Sequence, residues 1–465
     1  MTKTLRHSLA VCLCAVAGCG GGSKPSGPPP EATGLARLNH IVVIVLENWS
    51  FDSLYGEMPG AEGLAAAAGA PLQVDATGAA YPALPQTETH LPQTLPNAPF
   101  ALDPFIPVNA DTSTDLTNNF YEEQRQIHGG RMDQFVLYDA AAKGLTMGYY
   151  HTAGLPLATE ASTYTLCDHF FHGVFGGSLQ NHIFLISAGV AQFAKAPASV
   201  KRAVLDDAGV PVADASGKQQ DGPLTPDGYL VGTLFPAGGP HPSSTPPEQL
   251  VPPQTFPTIG DRLTAKGLDW AWYAEGWNEI LAGTNLNDAG TDTATLFQYN
   301  HQPFAYFDGY GEGQPGRAHL KDESDFMAAA QNGTLPPVSF VKPDGVDNEH
   351  PNYTNVIGGE VHARALIDAV RRGPAWPDTA IVVTYDENGG FWDHVAPPSG
   401  DRWGPGTRVP TMVISPLARK NFVDPTPYDA SSILALIEHR FGLAPLGTRD
   451  AAAADLTAAF DFTQP

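Results

Sequence analysis

Cysteine is almost missing from this chain. Four occur in 465 residues. Cys12, Cys14 and Cys19 crowd near the N-terminus, and Cys167 stands alone in the remainder. With the leader removed no intrachain disulfide is possible. Cys167 then reads as a core residue rather than a catalytic thiol. Positive charge is scarce as well: Lys+Arg 25 against Asp+Glu 49 gives a formal charge of −24. Such a surface repels nucleic acid and anionic lipid head groups, which excludes a generic polyanion binder. A small anion can still bind where a metal, histidines or helix N-termini outweigh the general field. The apolar stretch Leu9 to Ala17 is too short to span a membrane as a stable helix. Hydrophobic residues nevertheless make up 42%, with Gly 48 and Pro 43, so the composition predicts many loops around an ordered centre. At roughly 100–200 residues per domain the length allows two or three domains, or one large α/β domain.

The N-terminus reads as a targeting segment. Lys3, Arg6 and His7 precede the apolar stretch Leu9 to Ala17, and Val16-Ala17-Gly18-Cys19 resembles a lipoprotein signal-peptidase site. The expected organisation is a leader over 1–18, a Gly/Ser/Pro tether over 19–36 and a folded domain over 37–465. Ordinary signal-peptide cleavage nearby is the alternative. Lipid on Cys19 would anchor the protein at a bacterial membrane surface without a transmembrane helix. The absence of Asp after Cys19 points to the outer membrane if the cell is Gram-negative.

Along the chain, His40 to Glu47 (HIVVIVLE) is a continuous apolar run ending in an acid, the pattern of a strand buried on both faces. Residues 56–107 read as a loop-rich excursion, and 195–257 as an insertion with short hairpins and a Pro-rich loop. Helical spacing or stop signals place helices over 258–266, 360–372 and 431–441. Strands are expected over 269–274, 337–341, 380–385 and 411–415. The alternation predicts an α/β fold with a mainly parallel central sheet flanked by helices.

Two of these strands end alike. Ile41 to Leu46 runs into Glu47-Asn48, and Ile381 to Tyr385 into Asp386-Glu387-Asn388-Gly389-Gly390. Open α/β sheets bind ligands beyond the carboxyl ends of their strands. Carboxylate and amide oxygens there suit a divalent cation, although each acid alone could equally be a loop residue or helix cap. Gly176-Gly177-Ser178 could hold a serine at a tight turn with backbone amides free for an anion, or be a plain turn. His128, His301, His350 and His394 sit in loop-like settings outside any apolar periodicity.

Glu47-Asn48-Trp49-Ser50-Phe51-Asp52 and Thr384 to Val395 (TYDENGGFWDHV) together resemble the bacterial phosphoesterase family, which contains non-specific phospholipases C and acid phosphatases. Residues 176–181, 301–307, 335–343 with His350-Pro351, and 404–416 match in order, so the likeness runs from about residue 37 to 445. It implies a core similar to the alkaline phosphatase and arylsulfatase superfamily. It also implies one metal ion held by Glu47, Asn48, Asp386 and Glu387, with Ser178 on the metal as nucleophile. His301 and His350 would line the phosphate pocket, with His128 a weaker candidate. His394 matches without an implied role. Trp49 and Ser53 depart from the family's usual Arg and His.

The expected activity is therefore hydrolysis of a small phosphate ester through a phosphoserine. Oxygen ligation leans toward Mg, Ca or Mn, with zinc open. Serine at the nucleophile position, and a chain that stops soon after its last core helix, favour a phosphomonoesterase of the acid phosphatase kind. A phospholipase C-type diesterase is the nearest alternative, and a non-catalytic metal- or ligand-binding lipoprotein is the alternative of another class. A sulfatase fits less well, because Cys167 lacks the Pro-x-Arg sequence that formylglycine formation requires. Imidazolium help from the histidines would give an acidic to near-neutral optimum. The oligomeric state is open.

Overall fold

The computed structural model describes residues 33–110, 114–215, 219–283 and 296–464. The leader and Cys19 lie outside these residues. Gly34–Arg37, at the end of the expected tether, forms a 3-10 turn.

Eight strands build the central sheet: β1 (His40–Leu46), β2 (Thr165–Cys167), β3 (Trp270–Ala274), β4 (Leu320–Asp322), β5 (Val338–Lys342), β6 (Thr379–Tyr385), β7 (Thr411–Ile414) and β8 (Phe422–Asp424). Their order is β8-β2-β7-β6-β1-β5-β3-β4. The block β6-β1-β5-β3-β4 is parallel throughout, whereas β7 runs antiparallel to both β6 and β2. The apolar sequences of β1 and β6 follow from this position. Both are central strands, and every residue of β1 after His40 and every residue of β6 is buried. Alternation would leave one face wet, and here neither face is.

Helices pack on the sheet with explicit end signals. Ile259–Ala265 opens with a Thr258/Asp261 capping box, and Val356–Arg372 opens on Asn355, four residues earlier than the sequence pattern places it. Ala430–Phe441 closes on Gly442 at φ 61°. Asn181 to Ala188 (NHIFLISA) holds an apolar run, most of which lies in the helix Ser178–Ser187. The short strands β2, β4 and β8 carried too few residues to show a period in the sequence. Within 195–257 short antiparallel bridges, such as Leu205 with Pro211 and Leu224 with Leu230, close the turns expected there. Cys167 is buried in β2, and burial pushes its thiol up. Among the described residues no helix is long and apolar enough to cross a membrane.

Candidate active site

Strand register does most of the assembly. β1 and β6 are parallel neighbours with Leu46 opposite Tyr385, so Glu47 and Asp386 leave the sheet side by side. Gly389 locks the two strand-end loops together. It sits at φ 60°, and a Cβ there would lie 2.2 Å from the Asn48 carbonyl oxygen. Asn48 itself is buried at φ 71°, a conformation asparagine tolerates better than most residues.

The third piece arrives on the helix Ser178–Ser187. Gly176 turns the chain into it at φ 89°, and a Cβ would meet the Phe120 amide nitrogen at 2.7 Å. Ser178 is the first helical residue, and its N-cap Gly177 carries no side chain to cap the first amides. The Ser178 hydroxyl presents itself to the Asp386 carboxylate. One helical turn on, His182 lies on the same face. Its Nδ1 sits 2.6 Å from the Ser178 carbonyl and 3.8 Å from Asp386 Oδ2. A carbonyl only accepts, so the ring proton belongs on Nδ1.

Around Glu47 stand three cationic or potentially cationic groups. Lys342 Nζ, from the end of β5, approaches Oε1 at 2.7 Å, and His301 Nε2 approaches the same oxygen at 2.6 Å. His350 Nε2 is 3.9 Å from Oε2. Burial alone would push the Glu47 carboxyl up, but His301, Lys342 and His350 together hold it well below the usual carboxylate range. Asp386 goes the other way: burial first, then the charge of Glu47, raise it well above its usual value. Burial also pushes the His301 imidazole down to about 4, against the pull of Glu47. His301 is thus a neutral donor at physiological pH, not the imidazolium that the sequence suggests.

Ligand atoms of Glu47, His182 and Asp386 all lie within 4.8 Å of one another. Oε1 of Glu47 meets Lys342 and His301, but its Oε2, both side-chain polar atoms of Asn48 and Oδ2 of Asp386 are buried without a hydrogen-bond partner. Native interiors rarely leave so many oxygens unmatched in one place, and a hard cation satisfies such a set. These residues therefore fit the divalent ion expected of them.

The remaining candidates fall elsewhere. Glu387 is buried beside Asp386, but Asn118 Nδ2 and the Gly389 amide each donate to one of its oxygens at 2.6 Å. His128 is not brought to the cluster; its Nδ1 pairs with Asp133 Oδ1 at 2.7 Å. His394 joins a separate buried knot. Its Nδ1 is 2.6 Å from Asp52 Oδ2, while Arg408 bridges Asp52 and Asp393 at 3.0 and 2.9 Å. That knot ties the chain after β1 to the chain after β6. Trp49 donates to the Glu349 carbonyl and stacks on Phe391 at 4.2 Å, and Ser53 helps close the helix Phe51–Tyr55 that Ser50 caps.

Sequence reasoning missed Lys342, His182 and Asn118. Lys342 was visible in kind, because it too ends an apolar run (PVSFVK). His182 follows from its four-residue spacing to Ser178. Asn118 lies in a loop with no local signal.

The Phosphoesterase family model matches residues 38–444. The chain belongs to the Phosphoesterase family. It is accordingly a hydrolase acting on phosphoric esters. Phospholipase C A of Mycobacterium tuberculosis (strain CDC 1551 / Oshkosh) is 27% identical over 481 residues, covering 95% of this chain and 81% of the relative. The non-hemolytic phospholipase C of Burkholderia pseudomallei (strain K96243) is 27% identical over 496 residues, covering 94% of this chain and 61% of its own. Among solved structures, a protein in the alkaline phosphatase superfamily from Vibrio parahaemolyticus overlaps 80% of this chain and 75% of its own, with TM-score 0.35 and 11% identity. The phosphoesterase fold is the mixed, mostly parallel sheet described above.

Proposed function

We propose that this phosphoesterase cleaves its substrate with Ser178 as nucleophile, at a divalent-cation site made by Glu47, Asn48 and Asp386, with Glu387 fixing the loop behind it. The observation that supports this most is the pairing of β1 with β6, which sets two strand-end acids with unpartnered buried oxygens against the Ser178 hydroxyl. When bound, a divalent cation there neutralises phosphate charge and eases loss of the serine proton.

The chain's own groups do the rest. Ser178 Oγ attacks phosphorus, the bond to the leaving alkoxide breaks, and a phosphoserine forms; water then cleaves it. The uncapped amides at the start of the Ser178 helix point toward an approaching anion. Lys342 and neutral His301 fix the Glu47 carboxylate by their contacts at 2.7 and 2.6 Å. His350 donates its Nδ1 proton to the Pro351 carbonyl at 2.6 Å, and as an imidazolium it carries a second proton on Nε2, which it would pass to the leaving oxygen.

The ester class is the finer question. The two relatives carry the name phospholipase C, which favours a diester substrate, while serine as nucleophile keeps the monoester reading of the sequence in play. One assay separates them: p-nitrophenyl phosphate, its bis-ester and p-nitrophenyl phosphorylcholine, with wild type and Ser178→Ala. The diester reading expects faster turnover of phosphorylcholine ester than of monoester. Ser178→Ala should lower every rate by about 10³-fold or more. Comparable rates in both proteins would reject serine catalysis. Export and lipid attachment at Cys19 belong to the same proposal. Cys19→Ser should shift the protein from the detergent phase to the aqueous phase in a Triton X-114 partition, and an unchanged partition would reject the anchor.

A further inference from the structure

Along the same edge of the sheet, three neighbouring parallel strands end in a second set of acids. Glu275 follows β3, Glu323 follows β4, and Asp344 stands two residues past β5. Ala274 pairs with both Lys342 and Asp322, so these acids emerge level with one another. Asp347 joins them from the next turn. One oxygen each of Glu275, Asp344 and Asp347 lies within 4.8 Å of the others. His362, on the helix Val356–Arg372, faces the group. Its Nε2 is 2.9 Å from Glu323 and 3.9 Å from Glu275, and its Nδ1 is 3.6 Å from Asp347.

A cluster of surface acids needs no explanation by itself. Asp344 does. It is 2% exposed, its Oδ1 accepts the Val346 amide at 2.9 Å, and its Oδ2 is buried with no donor. Its own amide donates to Glu275 at 3.0 Å, which fixes the two acids together. Burial, then the charges of Glu323 and Asp344, push the Glu275 carboxyl up to about 8. Burial also raises Asp344 to about 6. His362 would be pushed down by burial, but its contact with Glu323 and the surrounding acids hold it at about 9. As a cation it offsets Glu323. Glu275, Asp344 and Asp347 crowd one another beyond its closest contact, and Asp344 Oδ2 is left without a donor.

We propose that Glu275, Asp344 and Asp347 form a second divalent-cation site, selective for calcium, which ties the C-terminal ends of β3 and β5 together. It is distinct from the Glu47–Asp386 site and does not depend on Ser178 chemistry. The donors are hard oxygens, and calcium accepts irregular sets of six to eight oxygens at about 2.3–2.6 Å, with water completing the shell. Lys342, at the end of β5, pairs with Glu47 instead of with these acids.

The test uses the full chain stripped with EDTA, then titrated with Ca²⁺ in thermal unfolding and in equilibrium dialysis. A Glu47→Gln background removes the first site from the count. That protein should bind one calcium, and its midpoint should rise on the order of 4 °C at saturating calcium. Adding Glu275→Gln and Asp344→Asn should abolish both effects. Equal calcium uptake and an equal midpoint rise with and without these changes would overturn the site. Should the multiple variant fail to fold, Asp347→Asn alone, at a partly exposed position, should weaken calcium on the order of tenfold. Unchanged affinity there would overturn it equally.

Discussion

Lys342 carries the electrostatics of the site at the scale of single residues. It is 1% exposed and its ammonium meets Glu47 at 2.7 Å. Removing one partner of a buried pair leaves an uncompensated charge, a loss of about 3–5 kcal/mol. Lys342→Met should therefore lower stability by that amount in urea denaturation with EDTA present. A loss under ~1 kcal/mol, the range of an exposed pair, would show that Glu47 does not depend on it. Glu47, Asp386 and Ser178 were legible in the sequence because each interrupts a recognisable pattern, an acid closing an apolar run or a serine behind paired glycines. The charge states were not. Neutral His301 follows from burial, aided by Lys342 and opposed by Glu47, which no local sequence records. His128 had the same loop-like surroundings as His301, yet its ring is taken by Asp133. Spacing alone cannot tell two such histidines apart.

At the scale of elements, the turn into the Ser178 helix decides where the nucleophile stands. Gly176 is at φ 89° with the Phe120 backbone in the way of any Cβ, while Gly177 has φ −78° and only the Asn118 carbonyl oxygen at 3.8 Å from such an atom. Gly176→Ala should cost about 1–3 kcal/mol in strain and, by displacing Ser178, about 10²-fold in kcat. Gly177→Ala should melt near wild type. Equal melting points for the two variants would refute the argument. The helix Ala430–Phe441 makes a separate prediction. Burial, then its contact with Asp450, push the Glu438 carboxyl up to about 8. The folded state then holds a proton that the unfolded chain releases near its ordinary value of about 4.3. The stabilisation is complete below that value and is lost as pH rises toward 8. Glu438→Gln should flatten this decline between pH 5 and 8 in melting-point profiles, and an unchanged slope would remove Glu438 as its source. Long elements with caps and stops were legible. The three-residue strands were not, because they exist through pairing with distant partners.

Over the whole molecule, alternating strands and helices gave the fold class, but not the order that makes the site. That order, with β1 between β6 and β5, sets Glu47 between Asp386 and Lys342, both of which lie some three hundred residues further along the chain. The Arg408 knot adds a second tie between the same loops. In the proposed mechanism Asp386, Glu47 and Ser178 surround one cation. Anomalous diffraction from crystals soaked in Mn²⁺ tests it most directly. The expected result is a peak about 2.0–2.4 Å from oxygens of Glu47 and Asp386, in reach of Ser178 Oγ. A fully active, Mn²⁺-saturated enzyme with no peak at that position would contradict it.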